Sequence, residues 1–425
     1  MQTLANHSTF LLIALHLTQC FALPNSSASP YQPRPYTIDV SPTLIQETRL
    51  KASHYRPTVD ISTPAWFDGP PTHNVSQISQ YIASEYDWFA YQDAINANFS
   101  HYITTVPAPG GSYPHDLDVH FIHQKSKRED AIPIILLHGW PSTSLEWKNV
   151  VADLVEPNDL SKPAFHVVAP DLPGFGFSPA PIAAGLGGPE HAAVFASLMQ
   201  QLGYESYVVY STDLGFQIAL QMLDSYEERI LKHVSDFYIV FPNATDLNRL
   251  TKNQTTAEES LYIASSNAYV ANYSAYASIY STLPLSIAHA LNDSPTGFLA
   301  WLWQLDFGVR DLSVPFTVHE LVSNVMTLFI PGVYGNIRSY KELFPALVSQ
   351  KRKASKVPTA VLQWGYPKPS YPYLKNFNFV PRDWVERTAN VTFFRRHSNG
   401  GHFPAYSQPE KWLGDMWEIF AKENK

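Results

Sequence analysis

The stretch Tyr207-Val-Val-Tyr-Ser-Thr-Asp213-Leu-Gly215-Phe-Gln-Ile-Ala-Leu-Gln-Met holds the residue best placed for covalent chemistry. It reads as a β-rich run, a turn of small residues, then a helix with one apolar face. Asp213 stands where the strand must bend sharply into the helix, with Ser211 and Gly215 two residues to either side. The turn has the shape of the G-x-S-x-G nucleophile elbow, but a carboxylate stands at its centre. A carboxylate suits neither peptide nor ester hydrolysis at neutral pH, yet it can attack an electrophilic carbon and become esterified to it. The structural alternative is an aspartate that only caps the helix starting near Leu214. Near the other end, Arg395-Arg-His-Ser-Asn-Gly-Gly-His402-Phe places a second candidate, His402, just after a predicted strand. There an imidazole can act as a general base. Its neighbour His397 reads as a strand-end residue.

The elements needed to position these groups are those of an α/β protein. Leu117–Gln124 alternates like a strand, and Ile132–Leu137 and Phe165–Ala169 are short apolar runs suited to strands buried on both faces. Glu190–Leu202 predicts a helix, Tyr207–Tyr210 the strand before the turn, and Phe216–Asp224 the helix after it. Val357–Gln363 and Val391–Phe394 return as strands, and Pro409–Lys422 closes as an amphipathic helix with Trp412 and Trp417 facing inward. Such alternation implies a mostly parallel central sheet with helices on both faces and chemistry at the strands' carboxyl ends. Helical periodicity also marks Thr43–Ala52 and Val75–Asn98. In the latter, Trp88, Tyr91 and Ile95 share one face that reads as packing.

Between Asn243 and Leu347 the alternation lapses into helices, as expected of a helical lid set into the core. The expected organisation is a leader over 1–22, an N-terminal region over 23–115, a core over 116–242 and 348–425, and the lid over 243–347. The leader carries a run of about a dozen apolar residues ending in Cys20-Phe-Ala22, which predicts a signal peptide cut after Ala22. An uncleaved membrane anchor is the alternative. Cys20 is the only cysteine of the chain, so a mature chain would have no disulfide, thiolate ligand or cysteine nucleophile. Sequons at Asn25, Asn74, Asn98, Asn243, Asn253, Asn272 and Asn390 add to a secretory reading as candidate glycosylation sites, while Asn292 is a poor acceptor because Pro295 follows its Ser294. Hydrophobic residues make up 45% of the 425 and aromatics 14%, ample for a core, and a formal net charge of -8 without basic clusters argues against nucleic acid.

Taken together, these segments resemble the microsomal-type epoxide hydrolases of the α/β-hydrolase superfamily, in the family's order. They run from Tyr86-Asp-Trp88 and Asn98-Phe-Ser-His-Tyr102 through Leu117-Asp-Val-His-Phe-Ile-His and His138-Gly-Trp-Pro141. Asp171-Leu-Pro-Gly-Phe-Gly-Phe-Ser178, the Asp213 turn, Leu291-Asn-Asp-Ser-Pro-Thr-Gly297 and Gly400-Gly-His-Phe403 follow. The resemblance covers residues 36–422 and implies the α/β-hydrolase fold. It implies that Asp213 attacks an epoxide carbon to form an alkyl ester, and that His402 takes a proton from the water that cleaves it. Two lid tyrosines would hold the departing oxygen. Arg338-Ser-Tyr340-Lys-Glu-Leu matches one, ranked first, and counting back from Leu291 gives Tyr276 as the other. Unperturbed tyrosine, with a pKa near ~10, stays protonated at neutral pH and can donate. Backbone N–H groups near Trp140 would form the oxyanion hole. The implied partner is a small-molecule epoxide. No metal, nucleotide or organic cofactor is implied, nor a stable membrane span once the leader is gone.

One expected residue has no counterpart. The family's acid, which orients and charges the histidine, lies in the loop after the penultimate strand, and here Gln363–Arg382 contains no carboxylate. The two ways of counting place it at Pro369 or at Asn376. Asn376 or Asn378 could orient the imidazole without charge, or Asp246, or less readily Asp236, could reach it from another side. A weakened water step would favour an internal hydroxyl and a cyclic ether over a diol. The departure, the leader and the sequons resemble fungal members of secondary-metabolite pathways, which implies a bulky apolar, polyketide-like epoxide. Haloalkane dehalogenation shares the aspartate nucleophile but needs tryptophan or asparagine halide donors, and a secreted binding protein on a hydrolase fold is the non-enzymatic alternative.

Overall fold

The computed structural model describes residues 29–349, 354–367 and 371–421. The leader, Asn25 and Pro369 therefore lie outside the described residues. The described strands are β1 (Arg34–Pro35), β2 (His101–Val106), β3 (Leu117–Gln124), β4 (Ile132–Leu137), β5 (Phe165–Pro170), β6 (Tyr207–Ser211), β7 (Ile230–Ser235), β8 (Pro358–Trp364) and β9 (Asn390–His397). They form one sheet in the order β1-β2-β3-β5-β4-β6-β7-β8-β9. Pairing is antiparallel from β1 as far as β5 and parallel from β5 through β4 to β9.

Because β5, β4 and β6 to β9 run parallel, their carboxyl ends all lie at one edge of the sheet. β4 and β6 are neighbours there, with Leu137 opposite Ser211. The turn after each strand thus faces the other, and chemistry at strand carboxyl ends can draw on both loops. β4, β5 and β6 are buried almost throughout, which their continuous apolar sequences require.

The N-terminal segment differs from its sequence reading in two places. The expected helix over 75–98 is two helices, Thr72–Ser84 and Trp88–Asn98, because Asp87 restarts the chain by accepting the N–H groups of Phe89 and Ala90. His101–Val106, hidden to periodicity because polar residues such as His101 and Thr104 take buried positions, is β2 and extends the same sheet as the later strands. Residues 34–106 are therefore built onto the core sheet. Asp171, at the end of β5, ties this region to the site loops. Its carboxylate accepts the N–H groups of Ser144 and Phe177 and a bond from His120 Nδ1 at 2.7 Å, and His120 Nε2 lies 3.0 Å from His101 Nδ1.

Between β7 and β8 the described chain is helical, from Ala244–Thr251 to Val333–Ser349. Tyr269–Tyr273 is a π-helical turn between two of these helices. Tyr86, Ser79 and Lys51 of the N-terminal region bond Ser323, Thr296 and Asp293 of the lid, so this region holds the lid. Of the described sequon asparagines, Asn98, Asn243, Asn253, Asn272 and Asn390 are exposed and Asn74 is half-buried. Among the described residues, no helix is long and apolar enough to cross a membrane.

Candidate active site

Asp213 is the first residue of the helix Asp213–Ser225, and its φ of 44° is left-handed, rare for a residue with a Cβ. Thr212 takes the N-cap position, so Asp213 does not have the cap geometry that the structural alternative required. Two glycines let the bend exist. A Cβ on Gly215 would strike the carbonyl oxygen of Leu137, and one on Gly139 would strike the Asp213 carboxylate. The β4 loop consequently packs directly against the nucleophile candidate, and the Trp140 N–H donates to Asp213 Oδ1 at 2.9 Å. That is the place expected of an oxyanion-hole donor, with the amide aimed at the oxygen on which charge would develop.

His402 comes to Asp213 from the loop after β9. Its Nε2 lies 3.6 Å from Asp213 Oδ2, and its ring meets the edges of Phe237 and Phe403. Burial pushes its pKa below the ordinary value, while the charges of Asp213 and Asp306 pull it back up. The imidazole is thus neutral at pH 7 and free to accept a proton. His397 ends β9, stacked on Trp364 and bonded to Asp415 at 2.6 Å.

Three lid phenols close over the carboxylate. Tyr276 stacks on the Trp140 indole and Tyr340 meets both rings edge-on. Tyr269, on the π-helical turn, brings its hydroxyl within 3.2 Å of that of Tyr276. Burial and then the Asp213 charge push Tyr276 up to about 12, with the hydrogen bonds of Tyr269 and Tyr340 pulling the other way. Burial and then the Tyr276 phenol hold Tyr269 and Tyr340 well above the ordinary value. All three stay protonated donors. Tyr276, ranked second from sequence, lines the cavity that holds Asp213 and His402. That cavity, of about 300 Å³, is lined by Asp213, His402, Tyr269 and Tyr276 among mostly aromatic and aliphatic residues. Phe67 and Asn272, both exposed, stand at its rim. Tyr340 faces a smaller adjoining space that it shares with Asp213, Tyr269 and Tyr276.

Residues 33–147 match the family model described as the epoxide hydrolase N terminus, and residues 132–255 match that of the alpha/beta hydrolase fold. A putative epoxide hydrolase of Stigmatella aurantiaca is 26% identical over 397 residues, covering 91% of this chain and 84% of the relative. Epoxide hydrolase 1 of Sus scrofa is 25% identical over 414 residues, covering 90% and 87%. The chain is thus similar to epoxide hydrolases of the microsomal type over about nine-tenths of its length. The fold agrees with solved structures of the Aspergillus niger epoxide hydrolase (TM-score 0.77, 24% identity, 92% of this chain and 97% of that one) and the silkworm juvenile hormone epoxide hydrolase (TM-score 0.79, 22% identity, 91% and 94%).

At this site the loop acid is absent, and the structure sorts the sequence candidates for its place. Asn376 is half-buried, its carbonyl accepts the Phe379 N–H, and it does not line the cavity that holds Asp213 and His402. Asn378 donates to the Trp364 carbonyl and to Tyr366 Oη, so its amide steadies the loop. Asp246 is held in two bonds by Arg387 and caps its own helix. Asp236 turns toward Tyr210, whose hydroxyl donates to it at 2.7 Å, and burial lifts its pKa to about 7.

After Asp213, the carboxylate whose charge raises the His402 pKa is Asp306, in the last turns of the lid helix Pro295–Val309. Sequence reasoning passed over it because it sits in an apolar helix far from the expected loop. The same helix end is stitched to the histidine: the His402 N–H donates to the Val309 carbonyl at 2.9 Å, and Arg310 pairs with Gly401 as an isolated bridge. Arg310 Nη2 bonds Asp306 at 2.8 Å. The indole N–H of Trp140 is taken by Asn336 Oδ1, so this tryptophan does not offer the halide donor that dehalogenation would need.

Proposed function

We propose that this epoxide hydrolase opens a bulky, largely apolar epoxide through a covalent ester on Asp213. Asp213 would attack the ring carbon while Tyr276 and Tyr340 donate to the ring oxygen. His402 then takes a proton from water, and that water cleaves the ester at the carboxylate carbon, where the Trp140 N–H stabilises the oxyanion. Asp306 supplies the negative charge that favours the imidazolium formed in that step, in place of the absent loop acid. The observation that carries this reading is the meeting of Asp213, on its strained turn, with His402 3.6 Å away inside a phenol-roofed apolar cavity. The aromatic lining suits a polyketide-like substrate of a secondary-metabolite route. The predicted leader and the exposed sequons support passage through the secretory pathway with glycosylation at those asparagines.

The test is single-turnover mass spectrometry with an aryl or polyene epoxide in heavy-oxygen water, following the peptide that contains Asp213. An ester adduct that clears, with label entering Asp213 and a diol released, is the expected outcome. A persistent adduct or an unlabelled cyclic ether would show that the water step has been lost, and no adduct with any epoxide would overturn the reading.

A further inference from the structure

The roof of the cavity contains one more phenol than the proposed opening step uses. Tyr269 sits on the π-helical turn, its ring stacked on Phe377 at 4.5 Å and its hydroxyl 3.2 Å from that of Tyr276. Each phenol has a single proton to give. When Tyr276 donates to a ring oxygen, its proton is committed, and the bond between the two hydroxyls must then run from Tyr269 to Tyr276.

We propose that Tyr269 is a positioning residue that makes Tyr276, rather than Tyr340, the acid of epoxide opening. This rests on the reading of Asp213 as nucleophile. In the step, an Asp213 oxygen forms a bond to the epoxide carbon and the bond from that carbon to the ring oxygen breaks. The released electron pair stays on oxygen, which takes the proton of Tyr276. The Tyr276 phenolate left behind accepts the Tyr269 hydrogen bond at the moment its charge appears. A donor that strengthens as charge develops favours the transition state over the ground state. The proton that His402 later removes from water restores Tyr276, so the cycle closes with the addition of one water. The hydrogen-bond pattern agrees, since Tyr276 is the phenol whose acidity its two neighbours increase. The π-helical turn contributes geometry, for widening of a helix by one residue commonly re-aims side chains at functional sites.

The experiment measures the rate of Asp213 ester formation and the rate of its hydrolysis separately, in single turnovers with a styrene-type epoxide. Wild type, Tyr269→Phe, Tyr276→Phe and the double variant are compared. Tyr269→Phe keeps the ring and its stack on Phe377 and removes only the hydroxyl. It is expected to slow ester formation about tenfold while leaving ester hydrolysis unchanged, and to have no further effect when Tyr276 is already phenylalanine. An equal slowing in the Tyr276→Phe background, or no slowing in the wild-type background, would overturn the inference. A wild-type enzyme that forms no ester would instead overturn the nucleophile reading on which it rests.

Discussion

The φ of 44° at Asp213 holds a carboxylate at the tip of a turn, at a conformational cost of roughly 1–3 kcal/mol. This residue was legible because its signature is local: a buried strand, small residues around an acid, and an apolar helix. His402 was legible through chain order and the glycines before it. Asp306 and Tyr269 were not, because nothing near them in sequence marks them, and their relevance arises only when the lid folds over the sheet. The two acids of the site also set its pH response. Burial holds the His402 pKa below its ordinary value, and the Asp306 charge raises it. Ester hydrolysis needs the neutral imidazole, so its rate is expected to fall on the acid side with a midpoint below about 6.5. Asp306→Asn removes the raising charge while keeping an oxygen for Arg310. It should move that midpoint lower still and slow hydrolysis on the order of a hundredfold, leaving ester formation almost untouched. A pH–rate profile of ester decay checks both. An unshifted midpoint would remove Asp306 from the mechanism.

Elements rather than residues decide how the loops are held. Asp171 receives bonds from the loop after β4, from the loop after β5 and from β3. Burial alone would raise its pKa, but the hydrogen bond and charge of His120, with His138 and the Phe177 N–H, lower it to about 2. Asp171→Asn places an amide where N–H groups converge and is expected to cost about 3–5 kcal/mol, measured by urea unfolding. Because the folded pKa is depressed, the stabilisation of the native carboxylate is complete above pH ~3.9. It is lost as the pH falls toward 2, and the variant should lack that acid-side slope. Element reading from sequence succeeded where apolar pattern and burial agree, as in β4 and the elbow helix. It missed β2, where buried positions of His101–Val106 are polar, His101 and Thr104 among them, so that no apolar pattern marks the strand. It also merged the helices on either side of Asp87, because both present apolar residues at helical spacing.

Across the molecule, the sheet positions Asp213, the Trp140 N–H and His402, and the lid positions the phenols and Asp306, to which the proposed mechanism gives their roles. The N-terminal region clasps the lid through Tyr86, Ser79 and Lys51, so the roof rests on parts contributed from well before and well after the core strands. The bond from the His402 N–H to Val309 then acquires a meaning for engineering. Where a lid only shapes a pocket, it can be grafted between relatives to change substrate range. Here the cap is bonded to the loop of His402, and on the proposed mechanism a transplant without its own aspartate and helix end is expected to lose turnover. A chimera bearing a foreign cap with the two tyrosines but no such carboxylate is expected to become a one-shot alkylation trap. It would capture epoxides on Asp213 and hold them, a suicide-labelling reagent made from a hydrolase by exchanging its cap.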